Sequence, residues 1–146
     1  SEEWGYFLNF VRDNLGFKPY RTEWMIYDED LKIAGSVDMV YKNSDGSIDI
    51  YDWKRAKEIT AVNGFGETGN GASVLHITHS NFWHYSLQLN VYKAIIERKY
   101  GMKVRNLVLV QLHPESPTKN YKLFPCADLS EEVEDIFQEI SASNKK

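Results

Sequence analysis

A chain of 146 residues, 42% hydrophobic and 14% aromatic, is long enough for one domain with a real core. Its formal net charge of −4 excludes the strongly basic composition that by itself points to nucleic acid, while leaving room for a protein that gathers carboxylates around a metal. The single cysteine, Cys126, excludes an internal disulfide and any four-cysteine zinc or iron–sulfur site, and no apolar run approaches the roughly 18 residues of a membrane helix.

With no secretory pattern and a lone cysteine, the chain reads as intracellular, whether cytoplasmic, nuclear or viral. It begins with Ser rather than Met, so it also reads as processed, trimmed or cut from something longer. Residues 2–15 read as a helix whose apolar face carries Trp4, Phe7, Leu8, Val11 and Leu15, with Gly16 as the stop. Aromatic-rich 20–28 is a strand, 31–42 a second, the NSDG segment at 43–46 a turn, and 47–54 a third. Residues 58–81 form a long Gly-rich polar connection. A helix follows over 82–100, stopped by Gly101. The strand at 103–114 is apolar enough to be buried on both faces. A short edge strand (120–126) precedes a final helix (128–141), N-capped by Ser130, with Val133, Ile136, Phe137 and Ile140 inward. The whole is one domain over 1–146: α/β in class, a mixed α+β sheet with helices on its faces.

Asp/Glu-x-Lys occurs at Asp30–Lys32, Glu97–Lys99 and Asp52–Lys54. Only the last lies inside a strand, where a period of two puts both charges on one face, together with Ile48 and Ile50. In the preceding strand, Asp38 is the one charge within "IAGSVDMVY", and the hairpin brings it close to opposite Asp52. Two neighbouring carboxylates repel unless a proton or cation lies between them, and an all-oxygen ligand set suits Mg²⁺ or Mn²⁺. Lys54 beside such an ion orients or deprotonates a water, or holds a phosphate oxygen, which is the equipment for phosphodiester cleavage. On the next helix Gln88 and Tyr92 share a face at i, i+4, with Tyr85 on or near it.

Taken in order, "GSVD", "YDWK" and "QLNVY" behind an N-terminal helix resemble the PD-(D/E)xK nuclease superfamily, in particular its RecB-like exonuclease branch with a Gln-x-x-x-Tyr motif. The resemblance spans about residues 20–113. It implies a restriction-endonuclease-like αβββαβ core with flanking helices, one or two Mg²⁺ or Mn²⁺ ions, and a deoxyribonuclease that leaves 5′-phosphates at DNA ends or single strands. It assigns Asp38, Asp52 and the Trp53 carbonyl to the metal, Lys54 to catalysis, Gln88 and Tyr92 to DNA contact or site organisation, and Glu23 to a further metal contact. DNA is the implied partner, with helicase or other domains flanking the piece. The N-terminal helix departs from the pattern in carrying no His, and the cluster cysteines of some relatives are absent.

Each sharp reading has a bland one beside it. Asp52–Lys54 alone is an ordinary strand-end ion pair; only Asp38 and the Gln/Tyr helix tip the balance. Glu23 is equally well neutralised by Arg21 and Lys32. Tyr85 and Tyr92 also read as core aromatics with wet hydroxyls. His76, His79 and His84 lack a fourth ligand and read as polar histidines rather than zinc ligands, with His84 and Tyr85 as substrate contacts in the sharper reading. Arg55 and Lys57 are either solvated surface or a phosphate-binding patch, Phe65 a loop residue or a base-stacking tip, and Cys126 is packing. The rival functions are a catalytically inactive, nuclease-derived DNA- or protein-binding module and a metal-dependent endonuclease on DNA or RNA.

Overall fold

In the computed structural model, described here for residues 1–55, 59 and 81–145, the elements run α1 (Glu2–Asp13), β1 (Lys18–Asp28), β2 (Ile33–Lys42), β3 (Ile48–Lys54), α2 (Asn81–Lys99), β4 (Val104–Gln111), β5 (Lys122–Pro125) and α3 (Ser130–Asn144). The strands form one five-stranded sheet in the order β1-β2-β3-β4-β5. β1, β2 and β3 make an antiparallel meander, β4 joins β3 in parallel, and β5 closes the edge antiparallel. The parallel pair demands a crossover, and α2 supplies it. This is the mixed sheet expected, and it fits the restriction-endonuclease-like architecture.

Each face of the sheet carries its own core. Ile48, Ile50, Val40, Val104 and Leu109 pack under α2 and α3 with Leu89, Ile95, Ile96, Val133 and Phe137. Met39, Tyr41, Tyr51, Val108, Val110 and Leu112 pack under α1 with Tyr6 and Phe10. Strand β4 therefore feeds both cores by alternation, as its apolar run implies. On α3, Val133 and Phe137 are buried, with Ile136 and Ile140 packed beside them.

Three local expectations need correcting. The buried residues of α1 are Tyr6 and Phe10, with Phe7 half-buried, whereas Trp4, Leu8, Val11 and Leu15 are exposed at 60%, 48%, 40% and 77%. The helix has two apolar stripes, and the sheet face below it is aromatic. Phe10 fits there because Phe17, Tyr51, Trp53 and Tyr121 surround its ring at centroid distances of 5.3–6.4 Å. The helix also ends before Gly16, at Asn14, whose side-chain amide donates to the Phe10 carbonyl at 2.8 Å. At the start of α3 the cap position is Leu129, and Asp128 rather than Ser130 acts as acceptor, taking both the Ser130 N–H and hydroxyl. Gly101 does stop α2, at φ 65°, the left-handed conformation that glycine adopts cheaply.

The β2–β3 hairpin fixes the register on which the site depends. Its turn closes with Asn43 N–H donating to the Ser47 carbonyl at 2.8 Å and Gly46 at φ 90°. Asp45 accepts from Ser47 N–H at 2.9 Å. The ladder then runs from Lys42↔Ile48 to Met39↔Tyr51 and stops, whereas β3 stays paired to β4 as far as Lys54↔Gln111.

Candidate active site

Where β2 peels away from β3, the next residues in register are Asp38 and Asp52. The Trp53 N–H, left without a ladder partner, donates to Asp38 Oδ2 at 3.0 Å. In a strand the N–H and C=O of one residue face the same edge, so the Trp53 carbonyl also faces this gap. Asp52 and Lys54 project to the α2 side, as their parity with Ile48 and Ile50 requires, and Asp52 is 5% exposed.

Lys54 Nζ stands 2.7 Å from Asp52 Oδ2 as an ion pair, although no donor aims a properly angled hydrogen bond at that buried oxygen. Burial pushes the Asp52 carboxyl up to about 6; its hydrogen bond with Asp38 adds to the rise and Lys54 opposes it. The ammonium is held from two further directions. It donates to Gln88 Oε1 at 3.2 Å and lies 4.4 Å from the centre of the Tyr85 ring. Gln88 in turn donates through Nε2 to the Tyr92 hydroxyl at 3.0 Å. A continuous chain thus links Asp38, Asp52, Lys54, Gln88 and Tyr92, two strands to one helix. Tyr92 is seated on Gly35, where an added Cβ would fall 2.2 Å from Cε1 of its ring. The role of that glycine escaped sequence reasoning; the signal was its place three residues before Asp38 in "GSVD", next to an aromatic-bearing helix.

The other sequence candidates fall around this chain. Glu23 sits across from Asp38, between the pairs Thr22↔Met39 and Trp24↔Val37, and has φ 46°, a strained value for a residue with a Cβ. It is exposed and has no ion-pair partner among the described residues, so neither Arg21 nor Lys32 neutralises it. The strands also change parity at this row, since Met39 belongs to the α1-side core and both Val37 and Val40 to the α2-side core. His84 is exposed one helical turn before Gln88, on the same face of α2. Arg55 is not brought to the chain: it lies on the α1 side and pairs with Glu3 at 3.2 Å. It borders a hollow of about 410 Å³ with Trp4, Phe7, Trp53 and Leu112. Lys57, Phe65, His76 and His79 lie outside the described residues. Cys126 is packing as expected, its thiol pushed up to about 12 by burial.

The donor set offers oxygens only. Among the described residues no group of three or more His, Cys, Asp and Glu side chains is placed to hold a metal. The set is two carboxylates and a backbone carbonyl, with water left to complete the shell, which suits a hard divalent cation and not zinc. An off-angle buried carboxylate oxygen beside a second carboxylate is a further feature that a cation would satisfy.

The profile of the PD-(D/E)XK nuclease superfamily matches residues 1–144, and the chain belongs to that superfamily. No curated protein matches it. Among solved structures it is similar to a candidate exonuclease from Eubacterium rectale, at 14% identity and TM-score 0.57, covering 99% of this chain and 50% of the other. Weaker likenesses are to EndoMS in a double-stranded DNA complex (22% identity, TM-score 0.43, 75% of this chain and 35% of that one) and to a repair endonuclease from Pyrococcus abyssi (19%, 0.41, 92% and 42%). The chain thus spans half or less of the length of each of these proteins.

Proposed function

We propose that this chain is a metal-dependent deoxyribonuclease of the RecB-like type, an exonuclease that works on DNA ends or single strands and leaves 5′-phosphates. The observation that carries the reading is the Asp52–Lys54 pair at 2.7 Å, joined through Gln88 to Tyr92 and set beside Asp38 at the point where two strands part. A surface ion pair needs none of those partners. The superfamily match and the exonuclease-class neighbour support the same reading.

Asp38, Asp52 and the Trp53 carbonyl would hold Mg²⁺ or Mn²⁺, with Glu23 close enough in register to join them. When bound, the cation supplies Lewis-acid charge to the phosphate and acidifies water. The protein's own part is positional and electrostatic. Lys54, fixed by Tyr85 and Gln88, orients the attacking water and places positive charge where the phosphorane oxygens develop theirs. Asp52, once ionised, both ligates the cation and pairs with the Lys54 ammonium. Gln88 and Tyr92 set the Lys54 rotamer. His84 and Tyr85 line the approach.

The test is digestion of end-labelled single-stranded, duplex and closed circular DNA, and of RNA, in EDTA, Mg²⁺ or Mn²⁺. Metal-dependent loss of linear DNA with the circle spared is expected, together with loss of activity in Lys54→Ala and Asp52→Asn. Cutting of the circle would replace exonuclease by endonuclease. A folded wild type as inert as both variants on every substrate would overturn the enzyme reading in favour of a binding module.

A further inference from the structure

Among the described residues, five cations are matched to carboxylates. Lys54, Arg55, Arg98, Lys99 and Arg105 pair with Asp52, Glu3, Asp28, Glu29 with Asp30, and Asp49. The start of β1 is built differently. Lys18 and Lys42 are direct cross-strand partners, and Arg21 is opposite Val40. Since Val40 faces the α2-side core, these three cations share that face, the one that carries Asp52 and Lys54. None of the three has an ion-pair partner among the described residues. Like charges placed directly opposite each other destabilise a sheet, so folding alone does not account for the arrangement.

Aromatic rings hold two of them, Arg21 and Lys42, instead. The Arg21 guanidinium lies 5.2 Å from the centre of Tyr20 and 5.6 Å from that of Trp24, and Lys42 Nζ lies 5.4 Å from Tyr20. Tyr20, Trp24 and Tyr100 continue as a ladder of edge-to-face rings, with centroids 6.2 and 5.1 Å apart. A cation held by a ring face keeps its N–H donors free. Tyr20 and Tyr100 remain 37% and 39% exposed, so ring surface is available as well. Free phosphate donors interleaved with part-exposed aromatic rings on an unpaired sheet edge make up a surface for a strand with splayed bases. A duplex would hide its bases from those rings. The ladder starts beside the carboxylates: Trp24 follows Glu23, and Val37 opposite it precedes Asp38.

We infer that Tyr20, Arg21, Trp24 and Lys42 form a binding track for single-stranded DNA that leads to Asp38 and Asp52. The inference rests on the nuclease reading for where the track leads, and on its own geometry for what it binds.

The test measures fluorescence anisotropy of a labelled oligo(dT), and of a duplex of equal length, in EDTA across a salt series. It compares wild type with Tyr20→Ala and Arg21→Gln/Lys42→Gln, each verified as folded by circular dichroism. These are surface positions, and the glutamines retain the side-chain stems. Tyr20→Ala should bind the single strand roughly 5- to 140-fold more weakly, the usual worth of one base stack. The double variant should flatten the slope of log affinity against log salt by about 1.4, at about 0.7 for each phosphate no longer neutralised. Unchanged affinity and slope would overturn the track while leaving metal-dependent cleavage by the wild type intact. So would a wild type that binds and cleaves only duplex. Conversely, if the variants lose binding but the wild type cleaves nothing, the track stands and the nuclease reading falls.

Discussion

Gly35→Ala is the sharpest probe of how the site is held. The added Cβ would meet Tyr92 at 2.2 Å from Cε1, 2.7 Å from Cδ1 and 3.0 Å from Cζ. Carbon atoms rest at about 3.5–4.0 Å, so the ring or β2 must move by about 1.5 Å. Overpacking of this size costs about 1–3 kcal/mol, and alanine recovers about 0.5–1 kcal/mol over glycine in a strand. The net loss is about 1–2 kcal/mol, or roughly 3–8 °C in Tm for a chain of this length. The larger effect falls on function, because a displaced ring gives up the 3.0 Å hydrogen bond from Gln88 and with it the lever that orients Lys54. Cleavage should fall at least roughly tenfold, the range of one mispositioned catalytic group. Urea or thermal unfolding of Gly35→Ala, Tyr92→Ala and the double variant completes a thermodynamic cycle. Once the ring is gone, alanine at 35 should stabilise by about 0.5–1 kcal/mol, so the coupling is the overpacking cost itself, about 1–3 kcal/mol. If Gly35→Ala costs the same in both backgrounds, or leaves stability and cleavage untouched, the seating of Tyr92 on Gly35 is not what holds the relay.

Because the Asp52 carboxyl is raised from 3.8 to about 6, the stability it contributes without metal is present below about pH 4 and lost as pH climbs through 6. Unfolding measured in EDTA should show Asp52→Asn gaining on wild type between pH 4 and 7, by up to about 3 kcal/mol at about 1.4 kcal/mol per pH unit; a difference flat with pH would refute this. Mn²⁺ should raise the Tm of wild type, by the equivalent of about 2.7 kcal/mol at a hundredfold excess over Kd, and leave Asp38→Asn and Asp52→Asn unmoved in a thermal-shift assay. Phe10→Ala should cost about 3–5 kcal/mol in chemical unfolding, since the ring is fully buried among four aromatic neighbours. Lys54→Ala should lower cleavage by about 10²–10⁴ and, because the side chain is only 19% exposed and pairs a buried carboxylate, should also lower Tm at neutral pH.

Much of this was legible in the residues because it rests on periodicity. The period of two in 48–54 placed Asp52 and Lys54 on the face of Ile48 and Ile50, and the spacing of Gln88 and Tyr92 aimed both at that face. The α1 face was misread for a physical reason: the helix carries apolar residues on two stripes, and only the aromatic surface of β3 decides between them. The same alternation that locates Lys54 puts Arg55 on the opposite side of the sheet, beside Glu3, since adjacent strand residues face opposite sides. The left-handed backbone at Glu23 and the parity change at Asp38 have no signature in residue type, because neither glycine nor proline marks them.

The hairpin turn at Asn43–Ser47 carries a burden out of proportion to its distance from the chemistry. Its length decides which residue of β3 meets Asp38. Removing one residue there would slide β3 by one step past β2, and a one-step slip exchanges inward for outward side chains. Asp38 would then lose the Trp53 N–H and face a neighbour whose side chain belongs to the α1 layer. Lengthening is more forgiving, since extra residues can loop out beyond the Lys42↔Ile48 rung without disturbing it. The spacing of the two carboxylates is therefore a minimum-length rule written into a remote turn, and shortening the turn should be far more damaging than extending it.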